Sequence, residues 1–219
     1  MKSYWSYIKG EDYDLACTGG SVSVFDRNGK EILIFKGLTN AIFAAFIPNT
    51  NKFIAKSTDG IIYVFSIDEA KLLKKFRFSK SGNQNYGFCF NYDGTILYVI
   101  ENYNGLNTRI IAYETKDFTE IEKLFENTEN RILTHMECFD DGNIILLGYV
   151  HNNGIVNSGF VGFFDGKRIY GLRRIDFSDF DFANAYKTLQ IMGFTEKAKR
   201  WAPLPENRDV GEFSLTDLI

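Results

Sequence analysis

Residues 89–98 read CFNYDGTILY, and residues 138–147 read CFDDGNIILL, the same statement made again 49 residues later. In each, Cys and Phe lead into Asn, Asp and Gly, after which an apolar run resumes. Asn, Asp and Gly tolerate positive φ and close tight antiparallel connections, so each stretch predicts two strands joined by a hairpin turn. A supersecondary unit that returns at a period of 20 to 50 residues changes the reading of the whole chain.

Working outward, a second landmark appears where alternating runs end on an aromatic residue. SVSVFD ends at Phe25 and Asp26, IIYVFS at Phe65 and Ser66, RIIAYE at Tyr113 and Glu114, and GFVGFFD at Phe164 and Asp165; the aromatics lie 40, 48 and 51 residues apart. The small-residue-plus-Phe landmark occurs also at Ala45 and Phe46 before IPNTN, while YIKGEDYD in the first unit keeps only the aromatic and the turn. The second unit parses into AIFAAFIP, KFIAKSTD, IIYVFSID and KLLKKFRF over residues 41–78. Some of these runs alternate at period two and others are apolar throughout, the pattern of sheets packed on both faces. Four strands per unit, four times over, predict a mainly β, propeller-like domain over residues 1–176, with four-stranded antiparallel blades at about 3–37, 41–78, 85–125 and 131–176.

STDGIIYVF (57–65) and TGGSVSVFD (18–26) resemble the strand-turn-strand segment of WD-repeat propellers, and CFNYDGTIL resembles their F-S-P-D-G-x-x-L hairpin. The resemblance runs over about residues 4–176 and implies a β-propeller. Phe or Tyr replaces the family's Trp, no Gly-His dipeptide precedes a unit, and His135 sits too close to Phe139 to be that histidine. The family's hydrogen-bonded tetrad is therefore not carried over. Four units also raise the matter of closure: a tight ring, two chains joined as half-rings through a blade edge, or a C-terminal cap would each cover the open sheet edges.

Composition bounds the function. The 219 residues carry 25 Lys and Arg against 28 Asp and Glu, a net charge of -3, which leaves no global positive field for nucleic acid. The 21 Phe and 12 Tyr favour strands, and 3 Pro argue against long disordered linkers. The N-terminus lacks a continuous apolar segment and no run of membrane-spanning length occurs, so a cytoplasmic protein without a membrane association is expected. Cys17, Cys89 and Cys138 lack CxxC spacing and read as small buried hydrophobes.

After GLRRIDF the period stops. Phe182, Tyr186, Leu189 and Met192 recur at helical spacing behind Asp179 or Asp181 as N-cap, with Gly193 at the far end. A second short helix from Thr195 through Trp201 is stopped by Pro203 and Pro205. Residues 177–219 thus predict a helical C-terminal arm and tail, packed on the propeller or docked through Trp201 on a second subunit or a partner.

No nucleophile elbow, phosphate loop, dinucleotide fingerprint or zinc-protease helix occurs, and neither a cofactor nor a metal is implied. Asp176, Asp179 and Asp181 lack the glycine turn of a calcium loop and read as helix N-terminal charge. Asp140 and Asp141 read as turn residues, TGGS at 18–21 as a strand-strand turn, and His135 as a residue at a strand start. The polar loops remain: NYNGLN (102–107), VHNNGIVN (150–157), KSGNQN (80–85) and ENTENR (126–131). Loops on a rigid scaffold carry binding residues, and aromatic and arginine side chains dominate interface energetics. Tyr103, Arg131 and His151 are the preferred contacts, with Asn152, Asn85 and Trp201 beside them. The function this predicts is a noncatalytic scaffold that binds a protein partner; a propeller hydrolase or lyase, or a glycan-binding or other small-ligand propeller, are the alternatives.

Overall fold

The computed structural model describes residues 4–80, 87–103, 107–124, 131–139, 142–152 and 155–175. The expected helical arm lies outside these residues, as do Trp201, Asn85, Asp140, Asp141 and the acidic set at 176–181. The chain divides into two compact units, Met1–Gln84 with Pro205–Ile219, and Asn85–Leu204. The described residues are mainly strand, in antiparallel sheets, with no helix among them.

The first unit is one seven-stranded sheet in chain order: β1 (Ser6–Lys9), β2 (Asp14–Cys17), β3 (Gly19–Phe25), β4 (Glu31–Phe46), β5 (Lys52–Ser57), β6 (Ile61–Ser66) and β7 (Lys71–Arg77). Two of the expected strand sets share it, because β4 serves both. Its first part pairs with β3, Phe25 opposite Glu31 and Ser21 opposite Lys36; its second pairs with β5, Phe46 opposite Phe53. Between the parts, Gly37 and Asn40 take φ of 82° and 48°, which turns the strand through a corner without ending it. The corner brings two halves of one sheet face together. Phe35, from the first half, lies 5.4 Å from Phe53 and 4.6 Å from Phe65 of the second, ring centroid to centroid. Around them Leu15, Val22, Val24 and Ala55 are fully buried, and each large apolar side chain removed from water contributes roughly 1.5–3 kcal/mol.

Side chains tie the corner. Ser57 donates its hydroxyl to the Thr39 carbonyl at 2.5 Å, and the Tyr63 hydroxyl accepts the Thr39 amide at 3.3 Å. The Asn40 amide reaches the Asp59 carboxylate at 3.2 and 3.3 Å. The Thr39 amide and carbonyl, released where β4 leaves its ladder, are thus satisfied locally.

The second unit holds two four-stranded sheets. One comprises β8 (Phe88–Phe90), β9 (Ile96–Tyr103), β10 (Asn107–Glu114) and β11 (Thr119–Leu124), in spatial order β11-β10-β9-β8; the other runs β12 (Arg131–Cys138), β13 (Ile144–Asn152), β14 (Ile155–Phe164) and β15 (Ile169–Ile175) in chain order. They pack face to face, with Cys89, Tyr98, Ile100 and Ile110 of the first against Leu133, Met136, Leu146 and Phe164 of the second. Tyr98 meets Phe164 edge to face at 5.1 Å.

The repeated hairpins form, and their register corrects one expectation. The Asn91 amide bonds the Ile96 carbonyl at 2.9 Å and the Gly94 amide returns to Asn91 at 3.0 Å; the Phe139 amide bonds the Asn143 carbonyl at 2.9 Å and the Gly142 amide returns to Phe139 at 2.8 Å. Asn91 and Phe139 therefore occupy the same place, and Cys138 corresponds to Phe90 instead of Cys89. The second turn is one residue shorter, and one residue of slip moves a side chain to the opposite face of a strand. Cys89 is buried where the expectation put it, whereas Cys138 is half-buried on the face its sheet turns towards β8–β11. All three cysteines are free thiols, and burial pushes Cys17 up to about 12 and Cys89 well above the usual thiol range.

Candidate interaction site

One end of the second unit gathers several of the residues singled out in the sequence. Tyr103 closes β9 opposite Asn107, the first residue of β10. Arg131 opens β12 opposite Val150, and β13 continues through His151 and Asn152, paired with Val156 and Ile155. His151 and Asn152 thus lie in a strand ladder where a long loop was expected. The ladder extends because β-branched Ile155 and Val156 continue the strand past the Asn residues, leaving only residues 153 and 154 between β13 and β14.

Three residues absent from the sequence-based set hold this end together. Arg109 stands directly opposite Glu101 in the β9–β10 register, and its Nε meets the Glu101 carboxylate at 2.5 Å. The same guanidinium lies over the Tyr103 ring, 4.7 Å from its centroid. Glu101 is 5% exposed, so the pair is worth more than a solvated one and also fixes the Tyr103 ring from one side. The third residue is Thr108, fully buried, whose hydroxyl donates to the Arg131 carbonyl at 3.2 Å and accepts the Leu133 amide at 3.0 Å. One side chain of β10 thereby stitches the first turn of β12 to the neighbouring sheet. An alternating Glu-x-Tyr and Thr-Arg across a hairpin is the signal that could have found this set, since residues opposite one another in an antiparallel ladder interact.

The remaining sequence candidates fall elsewhere. TGGS is the expected turn, with the Thr18 amide on the Ser21 carbonyl at 2.9 Å and Gly19 at φ 87°. His135 sits inside β12 at a bulge between Leu133 and His135, not at the strand start that was expected. Asp93 accepts from the Thr95 hydroxyl at 2.6 Å and its amide at 3.0 Å, bonds that lower its carboxyl below the ordinary value, and the role is that of a turn residue. Among the described residues no group of three His, Cys, Asp or Glu comes together that could hold a metal ion, and no helix is long and apolar enough to cross a membrane.

No family model matches the sequence, and comparison with curated proteins finds no match. Among solved structures the chain is similar to the WD40 β-propeller domain of Doa1, with a TM-score of 0.51, 17% identity, and 67% of this chain and 47% of that chain covered. At this identity the likeness speaks for fold alone: the antiparallel sheets are of the WD-like propeller kind. The chain spans about half the length of that neighbour, 47% of it.

Proposed function

We propose that the chain is a noncatalytic interaction module of four propeller blades, which binds a partner protein through the end of the second unit that carries Tyr103 and Arg131. The blades are β1–β3 with the first part of β4, the second part of β4 with β5–β7, then β8–β11 and β12–β15. The observation that carries the reading is the Thr108 stitch between β10 and β12, beside the Arg109 clasp on Tyr103. Together they hold an aromatic residue and the start of an arginine-led strand on a pre-ordered rim, and binding to a pre-ordered surface avoids part of the entropy cost of association. His151 and Asn152 continue the same rim at the end of β13. Joining of two copies through a blade edge belongs to the same reading, since β1 is an edge strand of its sheet among the described residues and Trp5 beside it is 64% exposed.

The test compares the unaltered chain with the Tyr103→Ala, Arg131→Ala, His151→Ala triple variant as baits in one lysate, with bound proteins quantified by mass spectrometry. A partner captured near one to one whose affinity drops at least tenfold in the variant, with the thermal melt held, is the expected result. Affinity that stays within twofold sinks the rim as the binding surface. Light scattering that returns 25.1 kDa at high protein concentration would count against self-association.

A further inference from the structure

Two end strands carry opposite charge. Among the described residues β7 closes one side of the seven-stranded sheet, and β11 closes one side of the β8–β11 sheet. β7 reads KLLKKFR, with Lys71, Lys74, Lys75 and Arg77 and no acid; β11 reads TEIEKL, with Glu120 and Glu122 against Lys123. Five of the seven β7 residues and five of the six β11 residues are exposed, so both strands meet solvent along nearly their whole length. Local pairs leave the contrast in place. Lys71 meets Glu69 at 2.7 Å and Lys123 meets Glu120 at 3.3 Å; with Glu69 counted, β7 still sets four cations against one acid, and β11 two acids against one cation. The β7 cations are held along the strand: Arg77 donates to the Asp59 and Ser79 carbonyls at 2.7 and 3.2 Å, and the Lys75 ammonium lies 5.1 Å from the Tyr63 ring centroid. Each strand also bulges once, with Leu73 extra opposite Val64 and Phe65, and Ile121 extra opposite Ala112 and Tyr113. Leu73 is 38% exposed and Ile121 52%, so each charged edge also presents an apolar side chain.

We infer that copies of the chain join where β7 of one meets β11 of another, an inference that rests on the joining through a blade edge proposed above and names the edges. Like edges repel. β7 against β7 sets lysine on lysine, β11 against β11 sets glutamate on glutamate, and like charges directly opposite destabilise a strand pair. The unlike pairing opposes ammonium and guanidinium groups to carboxylates and gives Leu73 and Ile121 apolar surface to bury. Lysines and bulges on an edge strand ordinarily keep other strands away. Against an acidic edge the lysines attract instead, which makes the contact selective. Strands of seven and six residues form a small contact, so the association depends on concentration and weakens with salt. Because the two edges differ, the contact is heterologous and each copy keeps one edge for the next.

The experiment is sedimentation velocity on the full chain and on three charge variants: Lys74→Glu with Lys75→Glu, Glu120→Lys with Glu122→Lys, and all four together. The unaltered chain should rise above 25.1 kDa with concentration and fall back as salt is raised from about 0.05 M to about 0.5 M. Each pairwise reversal should weaken association about tenfold or more, and the fourfold variant, whose edges are again unlike, should recover it. An equal mixture of the two pairwise variants should associate as well, since each brings the edge that the other matches. A mass of 25.1 kDa at every concentration and salt overturns the inference and the joining of copies together, and leaves the rim reading standing. Association that survives either reversal, or that the fourfold variant fails to recover with its thermal melt held, overturns these two edges alone and returns the joining to β1. The salt series needs no substitution: association unmoved by salt overturns the charge pairing whatever the variants do.

Discussion

The ammonium of Lys56 lies 5.3 Å from the centroid of the Phe78 ring and 5.7 Å from that of Phe43, with the whole residue buried in the middle of the first unit. The rings offer partial compensation for lost water, but burial dominates and lowers the amine to about 7.

Stability should therefore depend on pH in a direction fixed by this residue. Between about pH 7 and the ordinary lysine value near 10.4, the unfolded chain binds a proton that the folded chain lacks, so Lys56 costs stability at low pH and the cost fades as pH rises. Lys56→Met keeps the length of the side chain and removes the charge. It should raise unfolding stability by a few kcal/mol at pH 6 and by little at pH 10. Urea titrations of both proteins at the two pH values measure the difference; an equal effect at both would show that burial of the charge is not the cause.

The Thr108 hydroxyl should matter more than its size suggests. Thr108→Val keeps the shape but strands the Leu133 amide in a dry interior, a loss of about 1–3 kcal/mol. Thr108→Ser should recover most of it. Guanidinium unfolding of the three proteins decides this, and a valine variant as stable as the serine variant would show that the stitch is idle.

Much of this fold was readable in the residues. The strands of the second repeat fall within a residue or two of the expected segments, because period-two alternation and Asn-Asp-Gly turns are local signals. The fusion of two strand sets through β4 was not readable, since GLTN at 37–40 looks like a loop and is held as a corner by Ser57 and Tyr63 from other strands and by Thr58 and Asp59 from the turn between them. The Cys89 and Cys138 equivalence misled for a related reason: the letters match, but a turn shorter by one residue moves the match to the other face. At the candidate site the sequence pointed to Tyr103 and Arg131. Glu101, Thr108 and Arg109 escaped because their value comes from cross-strand register and from a neighbouring sheet, neither of which one strand's sequence records.

The register difference between the cysteines has a chemical consequence. Cys17 and Cys89 are buried thiols pushed up in pKa by that burial, while Cys138 is half-buried. The thiolate is the reactive form, so a maleimide applied to the native protein at pH 7 should label Cys138 first and leave the other two untouched until the chain unfolds. Peptide mapping after timed quenching reads the order. Equal labelling of Cys89 and Cys138 would mean that the two occupy equivalent positions after all.

Gly148 tests the close approach of β12 and β13 within their sheet most directly. A Cβ at this position in β13 would lie 2.3 Å from the Ile132 carbonyl oxygen and 2.6 Å from the Phe160 ring. The carbonyl belongs to the paired strand β12 and cannot swing away as a side chain could, so relief requires the β12–β13 ladder to open. Extra volume in a packed interior typically costs 1–3 kcal/mol, and a backbone clash belongs at the upper end of that range. Gly148→Ala should lower stability by about 3 kcal/mol, against the gain of a few tenths to one that alanine brings wherever the backbone has room. Gly20, with nothing within 4 Å of its added Cβ, provides the contrast in the other unit. If thermal unfolding shows Gly148→Ala and Gly20→Ala to be equally mild, then β12 and β13 do not approach as closely as the ladder requires, and the rim built on Arg131 and His151 loses its support with them.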